Sequence, residues 1–212
     1  EVVSEQEEPH LYGILTRLCT IAGIPRPRLA IARTAVPNAF ATGRNANHSV
    51  IAVTTGLLST LNDEELEAVL AHELSHVRNR DVMVITLASL ISTAAFFIFR
   101  NSLFIPRGGG RSGKENLWVI VPIVAAVVWA VSFLLIKALS RYREFSADRG
   151  SAILTGNPRH LVSALMKISG MIDRVPTSDL RAVEGLNAFF IIPALSGSSV
   201  MELFATHPTV ER

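Results

Sequence analysis

Two long apolar runs constrain the fold of this 212-residue chain more than any other feature of its sequence. Residues 82–99 and residues 117–136 contain no charged side chain, and each run is close to the roughly 20 residues with which a helix crosses a bilayer. The segment 100–115 between them contains three consecutive glycines and several basic residues, which predicts a flexible connection. The pattern therefore predicts a transmembrane helical hairpin over 82–136. Two buried helices of a large soluble domain are the alternative, but paired charge-free runs of this length favour the membrane.

The overall composition agrees with a membrane location and disfavours binding to nucleic acid. Hydrophobic residues make up 49% of the chain, which is high for a soluble domain, and the net charge is only +2. Cys19 is the single cysteine, so no internal disulfide can form. It lies among apolar residues at helical spacing, which indicates a small core residue rather than a catalytic thiol.

The segment before the first apolar run carries the pattern H-E-x-x-H, from His72 to His76. Apolar residues recur at helical spacing around it, and Asn62, followed three residues later by Glu65, predicts a capping box where the helix begins. On a helix, positions i and i+4 share one face, so the two imidazoles can bind one metal ion. Glu73 would then lie beside a metal-bound water and act as its base. This arrangement is typical of zinc peptidases and predicts one Zn²⁺ per chain.

Neither proline nor glycine occurs from residue 62 to residue 99. We therefore expect the helix that carries the two histidines to continue without a break into the first apolar run. Basic residues flank both sides of the predicted hairpin, with a slight excess on the side of the histidines. That excess predicts a cytoplasmic location for the histidine side.

Zinc in a hydrolase takes three protein ligands and leaves one position open for water, so a third ligand is needed. Glu144 is the best candidate because it follows the second apolar run, on the side of the histidines if the runs form a hairpin. Asp148, four residues later on the same helical face, could orient a ligand histidine through its second ring N–H. A solvated acidic pair among arginines is the alternative, and the nearby H-E-x-x-H favours the metal site. His207 could donate to the developing oxyanion, although a lone histidine is more often structural.

The part of the chain before the motif combines a helix with short strands. Apolar residues have helical spacing over residues 9–22, and short apolar stretches at 29–32, 39–42 and 49–54 are separated by turn residues. These stretches predict a small antiparallel sheet. Together with an amphipathic helix over 159–172, they indicate an α+β fold that is mainly helical.

Four segments of the chain together resemble one known family. Residues 37–43, 66–81, 144–148 and 206–208 are similar to the HtpX family of membrane-bound zinc endopeptidases, which belongs to the M48 gluzincins alongside the CAAX-type proteases. The similarity covers nearly the whole chain in order, and the combined motifs are far more specific than H-E-x-x-H alone.

The resemblance implies a single minimal zincin-like metalloprotease domain over residues 1–212. The hydrophobic hairpin 82–136 would be inserted in it between the second and third zinc ligands. The residues that the resemblance implicates are His72, His76 and Glu144 as metal ligands, Glu73 and His207 in catalysis, Asp148 behind the ligands, and Asn38, Ala39, Phe40 and Ala41 in a substrate-binding edge strand.

The resemblance also implies an activity and a location. The activity would be cleavage of misfolded or damaged membrane proteins, by a multi-pass protein of the cell (inner) membrane whose active site faces the cytoplasm. Its partners would be polypeptide substrates and the lipid bilayer, and not nucleic acid. The family usually has two further hydrophobic segments at its N-terminus. It also has an arginine six residues after the histidine of the His-Pro motif, whereas in this sequence Arg212 is five residues after His207. There are two alternatives: a prenyl-peptide processing protease of the CAAX type, and a non-catalytic membrane scaffold with a vestigial metal site.

Overall fold

A computed structural model of the chain describes residues 1–102 and 117–172. Within these residues, helices outnumber strands, as the sequence predicts. The elements are β1 (Val2–Val3), α1 (Pro9–Ala22), β2 (Arg28–Ala32), β3 (Ala39–Gly43), a short 3₁₀ turn (Ala46–His48), β4 (Ser49–Thr54), α2 (Thr55–Thr60), α3 (Asp63–Asn79), α4 (Asp81–Ser102), α5 (Leu117–Thr155) and α6 (Pro158–Ile172).

The four strands form one mixed sheet in the order β1-β2-β4-β3. Strands β3 and β4 pair antiparallel, with Phe40 opposite Ala52, whereas β2 and β4 pair parallel, with Ala30 opposite the same Ala52. The prediction of a wholly antiparallel sheet is therefore wrong in this respect. The reason is that β3, which lies between β2 and β4 in sequence, pairs on the far side of β4 and so brings β4 back alongside β2. The prediction of an α+β, mainly helical fold with a small sheet is confirmed.

The hydrophobic core lies between the sheet and helices α1, α3 and α6. Its completely buried side chains come from all of these elements, and each contributes about 1.5–3 kcal/mol through removal from water. They include Leu15, Leu18, Leu29, Ile51, Leu70 and Ile168. Cys19 belongs to the same core, where burial raises the pKa of its thiol to about 11 against the opposing charge of Arg26. The thiol is thus an uncharged core group at neutral pH.

Helix α3 begins with the predicted capping box. The Asn62 side chain accepts a hydrogen bond from the backbone N–H of Glu65 at 2.9 Å, and the Asn62 N–H donates to Glu65 Oε2 at 3.0 Å. The Glu65 carboxylate also accepts from Ser163 Oγ at 2.6 Å and from Lys167 Nζ at 2.7 Å, both on α6. One buried carboxylate therefore closes the start of α3 and fixes α6 against it.

Helix α3 ends at Asn79, so the expected continuous helix from residue 62 to residue 99 is wrong. Arg80 has left-handed backbone angles (φ 57°, ψ 38°), and its N–H donates back to Val77 O at 3.2 Å. Helix α4 starts immediately afterwards at Asp81. A non-glycine residue adopts this conformation at a cost of about 1–2 kcal/mol, so the surrounding contacts impose the break.

The chain divides into two compact units, of which one contains residues 83–140 and the other contains residues 1–82 and the part from 141 onward. Helix α4 and residues Ile120–Thr155 of α5 are long and apolar enough to cross a membrane. Their large apolar side chains are exposed, for example Leu90 (62%) and Leu134 (64%). The predicted spans at 82–99 and 117–136 lie within these two helices.

Candidate metal centre

Helix α3 presents both histidines of the H-E-x-x-H pattern on one buried face. His72 is 4% exposed and His76 is 8% exposed. Their Nε2 atoms lie 3.1 Å apart, and the two rings meet edge to face with centroids 4.8 Å apart. Glu73, which follows the first histidine, is also buried. The predicted spacing therefore brings two ring nitrogens to one point inside the protein.

Helix α5 brings Glu144 to the same point. Its Oε2 atom lies 3.6 Å from Nε2 of His72 and 3.6 Å from Nε2 of His76. Zinc bound tetrahedrally at about 2.0–2.2 Å separates its ligand atoms by about 3.3–3.6 Å. The two distances to Glu144 lie in this range, and the 3.1 Å between the two ring nitrogens is slightly below it. Two imidazole nitrogens and one carboxylate oxygen suit a zinc ion, and the three residues form a buried group that could hold a metal.

Each histidine has a carboxylate behind its other ring nitrogen. Asp148 Oδ1 lies 3.0 Å from Nδ1 of His72, and Asp81 Oδ2 lies 2.6 Å from Nδ1 of His76. A ring that donates Nδ1–H to a carboxylate keeps the lone pair on Nε2, the nitrogen that faces Glu144. The sequence predicted the contact of Asp148 with one of the two histidines, and the structure places it on His72.

Asp81 is the residue of this site that sequence reasoning missed. It lies five residues after His76, a spacing that would place the two side chains on different faces of a continuous helix. The left-handed conformation of Arg80 turns the chain so that Asp81 lies behind the His76 ring. Arg143 Nε lies 3.2 Å from the same Asp81 oxygen. The only sequence signal was an acidic residue five positions after the second histidine of the motif.

Small residues allow α3 and α5 to approach closely beside the candidate metal ligands. Ser151 Oγ donates to the Ala68 carbonyl oxygen at 2.7 Å, and Ala147 is completely buried. Gly150 faces Ser75, and a Cβ atom added to Gly150 would overlap the Ser75 hydroxyl. The position of the Glu144 carboxylate therefore depends on a helix contact that has no room for larger side chains.

The electrostatics of the site favour positive charge at the two rings. Burial alone would lower the pKa of His72, but hydrogen bonds to Asp148 and Glu144 raise it to about 10. Burial likewise opposes ionisation of His76, whose pKa is raised by Asp81 and Glu144. Carboxylates that stabilise an imidazolium also stabilise a bound divalent cation, so the charge of the site agrees with its geometry.

The remaining predicted site residues lie in two places. Ala39, Phe40 and Ala41 lie in β3, and Asn38 directly precedes this strand. Strand β3 is the last strand in the order of the sheet, and it contacts α3. Asn38 itself is buried, and its backbone N–H donates to Thr54 Oγ1 at 2.8 Å. His207 lies outside the described residues.

Comparisons with known proteins show what the chain is similar to. The family model for Peptidase family M48 matches residues 5–212. Protease HtpX homolog 2 of Methanosarcina mazei is 63% identical over 100% of this chain and 72% of its own length. Protease HtpX homolog of Moorella thermoacetica is 58% identical over 99% of this chain and 71% of its own length. A crystal structure of S. mikatae Ste24p has a TM-score of 0.49 at 18% identity, covering 92% of this chain but only 47% of that one.

Proposed function

Because the chain belongs to peptidase family M48, we propose that it is a zinc-dependent membrane endopeptidase that hydrolyses misfolded or damaged membrane proteins. The observation that carries the proposal is the convergence of His72, His76 and Glu144 around one buried point. The family supports peptide-bond hydrolysis, and the donor set supports a metal in that reaction.

In the proposed mechanism, the two histidines and Glu144 hold the metal, and Glu73 transfers protons. Bound zinc would polarise the scissile carbonyl and promote ionisation of a water molecule. Glu73 takes a proton from the attacking water and delivers it to the leaving amine. His207 is proposed as a hydrogen-bond donor to the oxyanion that forms on the scissile carbonyl.

The proposed substrate-binding element is the segment Asn38–Ala41. A terminal strand of a sheet can pair with an extended peptide through main-chain hydrogen bonds, which gives affinity without strong sequence selection. The position of β3 at the end of the sheet, in contact with the helix that carries Glu73, supports this role. Such a mode of binding suits unfolded polypeptides, whose backbone is available for pairing.

The proposed location is a cell (inner) membrane, in which the chain is multi-pass and its active site faces the cytoplasm. Support comes from the length of α4 and α5 and from their exposed apolar side chains. In this proposal, residues 1–212 form one peptidase domain, and the hairpin 82–136 is inserted between His76 and Glu144. The partners are polypeptides and lipid, and not nucleic acid.

The test compares Glu73→Gln with Glu64→Gln in the full-length chain. Glu64 lies on the same helix and is exposed, so its substitution changes charge without changing the site. We expect Glu73→Gln to retain about one zinc per chain and to lose about 10²–10⁴-fold in cleavage of an unfolded membrane protein. Undiminished cleavage with zinc bound would remove Glu73 from the mechanism.

The alternatives from the sequence give different results in the same assay. A CAAX-type protease would cleave prenylated peptides and leave unmodified membrane proteins intact. A non-catalytic scaffold with a vestigial site would purify with zinc near zero and would cleave neither substrate.

A further inference from the structure

Asp81 is a buried carboxylate at the junction of α3 and α4. It is 4% exposed, and its Oδ2 atom lies 2.6 Å from His76 Nδ1 and 3.2 Å from Arg143 Nε. We infer that Asp81 is a positioning residue of the metal centre, which fixes the tautomer and orientation of His76, and that Arg143 holds Asp81 in place. This inference rests on the proposed metal site.

A purely structural role in α4 does not account for these contacts. An acidic residue in the first turn of a helix stabilises it by about 0.3–1 kcal/mol, and it does so while exposed to water. Burial of a carboxylate costs several kcal/mol unless it is paired and hydrogen-bonded. Asp81 is buried and directs a single oxygen at both His76 and Arg143, so its environment is organised around that oxygen.

The backbone break at Arg80 is what allows the contact. On a continuous helix, a residue five positions after His76 would lie about 140° away around the axis, out of reach of the ring. The left-handed conformation of Arg80 (φ 57°) instead places Asp81 behind His76. The strained residue therefore has a functional explanation: it delivers the carboxylate to the second metal-binding histidine.

Helix α5 contributes both a candidate metal ligand and a partner of Asp81, from two successive residues. Glu144 reaches the Nε2 atoms of the histidines, while Arg143 reaches Asp81. The two outer carboxylates differ in exposure, because the side chain of Asp148 is 46% exposed and that of Asp81 is 5% exposed. A contact shielded from water is electrostatically stronger, so within the range of about 10–100-fold expected for such partners, the loss of Asp81 should weaken zinc binding more than the loss of Asp148.

The experiment measures zinc affinity by chelator competition, together with ¹⁵N-histidine NMR of the zinc-loaded full-length chain in detergent. Asp81→Asn should weaken zinc binding by about 10–100-fold and change the His76 nitrogen signals that report the Nδ1–H tautomer. Asp63→Asn, which removes an exposed carboxylate from the start of α3, the helix that carries His76, should change neither. An Asp81→Asn protein with lower thermal stability but unchanged zinc affinity and unchanged His76 signals would overturn the inference.

Two substitutions of Arg143 keep the test decisive if Asp81→Asn does not fold. Arg143→Gln should weaken zinc binding, and Arg143→Lys, which retains the positive charge, should restore part of the affinity. Equal affinities of parent, Arg143→Gln and Arg143→Lys would overturn the inference. A parent protein without zinc would overturn the proposed function as well, whereas a zinc-loaded parent that is insensitive to these changes would overturn only the inference.

Discussion

Replacing Gly150 with alanine tests whether α5 must lie close to α3 for the candidate metal ligands His72, His76 and Glu144 to converge. A Cβ atom at this position would overlap Ser75 Oγ and approach Ser75 Cβ more closely than van der Waals contact allows. Ser75 is buried within the H-E-x-x-H segment, and its hydroxyl donates to the Ala71 carbonyl oxygen at 2.8 Å. The hydroxyl cannot turn away without loss of that hydrogen bond, so the helices must separate.

Two opposing effects set the size of the change. Alanine is preferred over glycine within a helix by about 0.5–1 kcal/mol. Overpacking of a buried contact costs about 1–3 kcal/mol. We therefore expect Gly150→Ala to lower the free energy of unfolding by up to about 2.5 kcal/mol and to weaken zinc binding, because Glu144 moves with α5.

The matched controls are Gly13→Ala in α1 and Gly170→Ala in α6. An added Cβ meets no atom within 4 Å at either position, so both controls should gain about 0.5–1 kcal/mol. Chemical unfolding of the metal-free full-length chain in detergent measures all three proteins. Ser75→Ala in the Gly150→Ala background should recover part of the loss. A Gly150→Ala protein that gains stability as the controls do, with unchanged zinc affinity, would refute the reasoning.

Substitutions at three further positions test other parts of the unit. Asp148→Asn should weaken zinc binding about 10–100-fold in a chelator competition, because His72 loses its carboxylate partner. Glu65→Gln should lower the free energy of unfolding by about 1–3 kcal/mol at neutral pH, because the carboxylate accepts from Lys167. The pKa of Glu65 is lowered: burial opposes this, but the hydrogen bonds from α6 outweigh it. Its stabilising contribution is therefore present above the unfolded glutamate pKa and lost as pH falls through the folded value, so chemical unfolding at acid pH should distinguish the variant less from the parent. Arg80→Gly should raise the free energy of unfolding by up to about 1 kcal/mol at unchanged zinc affinity, whereas Arg80→Val should lower it by about 1–3 kcal/mol and weaken zinc binding.

Each of these predictions has a contrary outcome. Unchanged zinc affinity of Asp148→Asn would show that Asp148 is a surface residue without a role in metal binding. A stability difference between Glu65→Gln and the parent that is as large at acid pH as at neutral pH would exclude the carboxylate charge as its cause. Loss of zinc from Arg80→Gly would show that the arginine side chain, and not the backbone turn, maintains the site.

Local patterns in the sequence predicted the parts of the site that depend on local geometry. The spacing of His72 and His76 requires only a helix, and the capping box at Asn62 marks where that helix begins. Glu144 and Asp148 are predicted because they lie four residues apart, just past the second apolar run and on the side of the histidines if the two runs form a hairpin. The structure brings both to the histidines, although their roles stay predictions. The predicted family membership is confirmed.

Features that depend on distant contacts could not be predicted in this way. Strand periodicity locates β2, β3 and β4 but does not determine their order, so the parallel pairing was missed. The break at Arg80 could not be predicted because neither glycine nor proline marks it in the sequence. Asp81 was missed for the same reason, since its contact with His76 exists only after the chain has turned there.

The ion pair between Asp81 and Arg143 also defines where the chain leaves and re-enters the unit that holds the metal site. Residues 83–140 form the other unit, and the charged atoms on either side of that segment are 3.2 Å apart. That contact keeps the two ends of the segment near each other, and the cost of closing a loop rises only slowly with its length, so a short flexible linker should replace the natural segment at little cost. We therefore expect excision of 83–140 to leave the candidate metal ligands His72, His76 and Glu144 in place, because all three belong to the first unit.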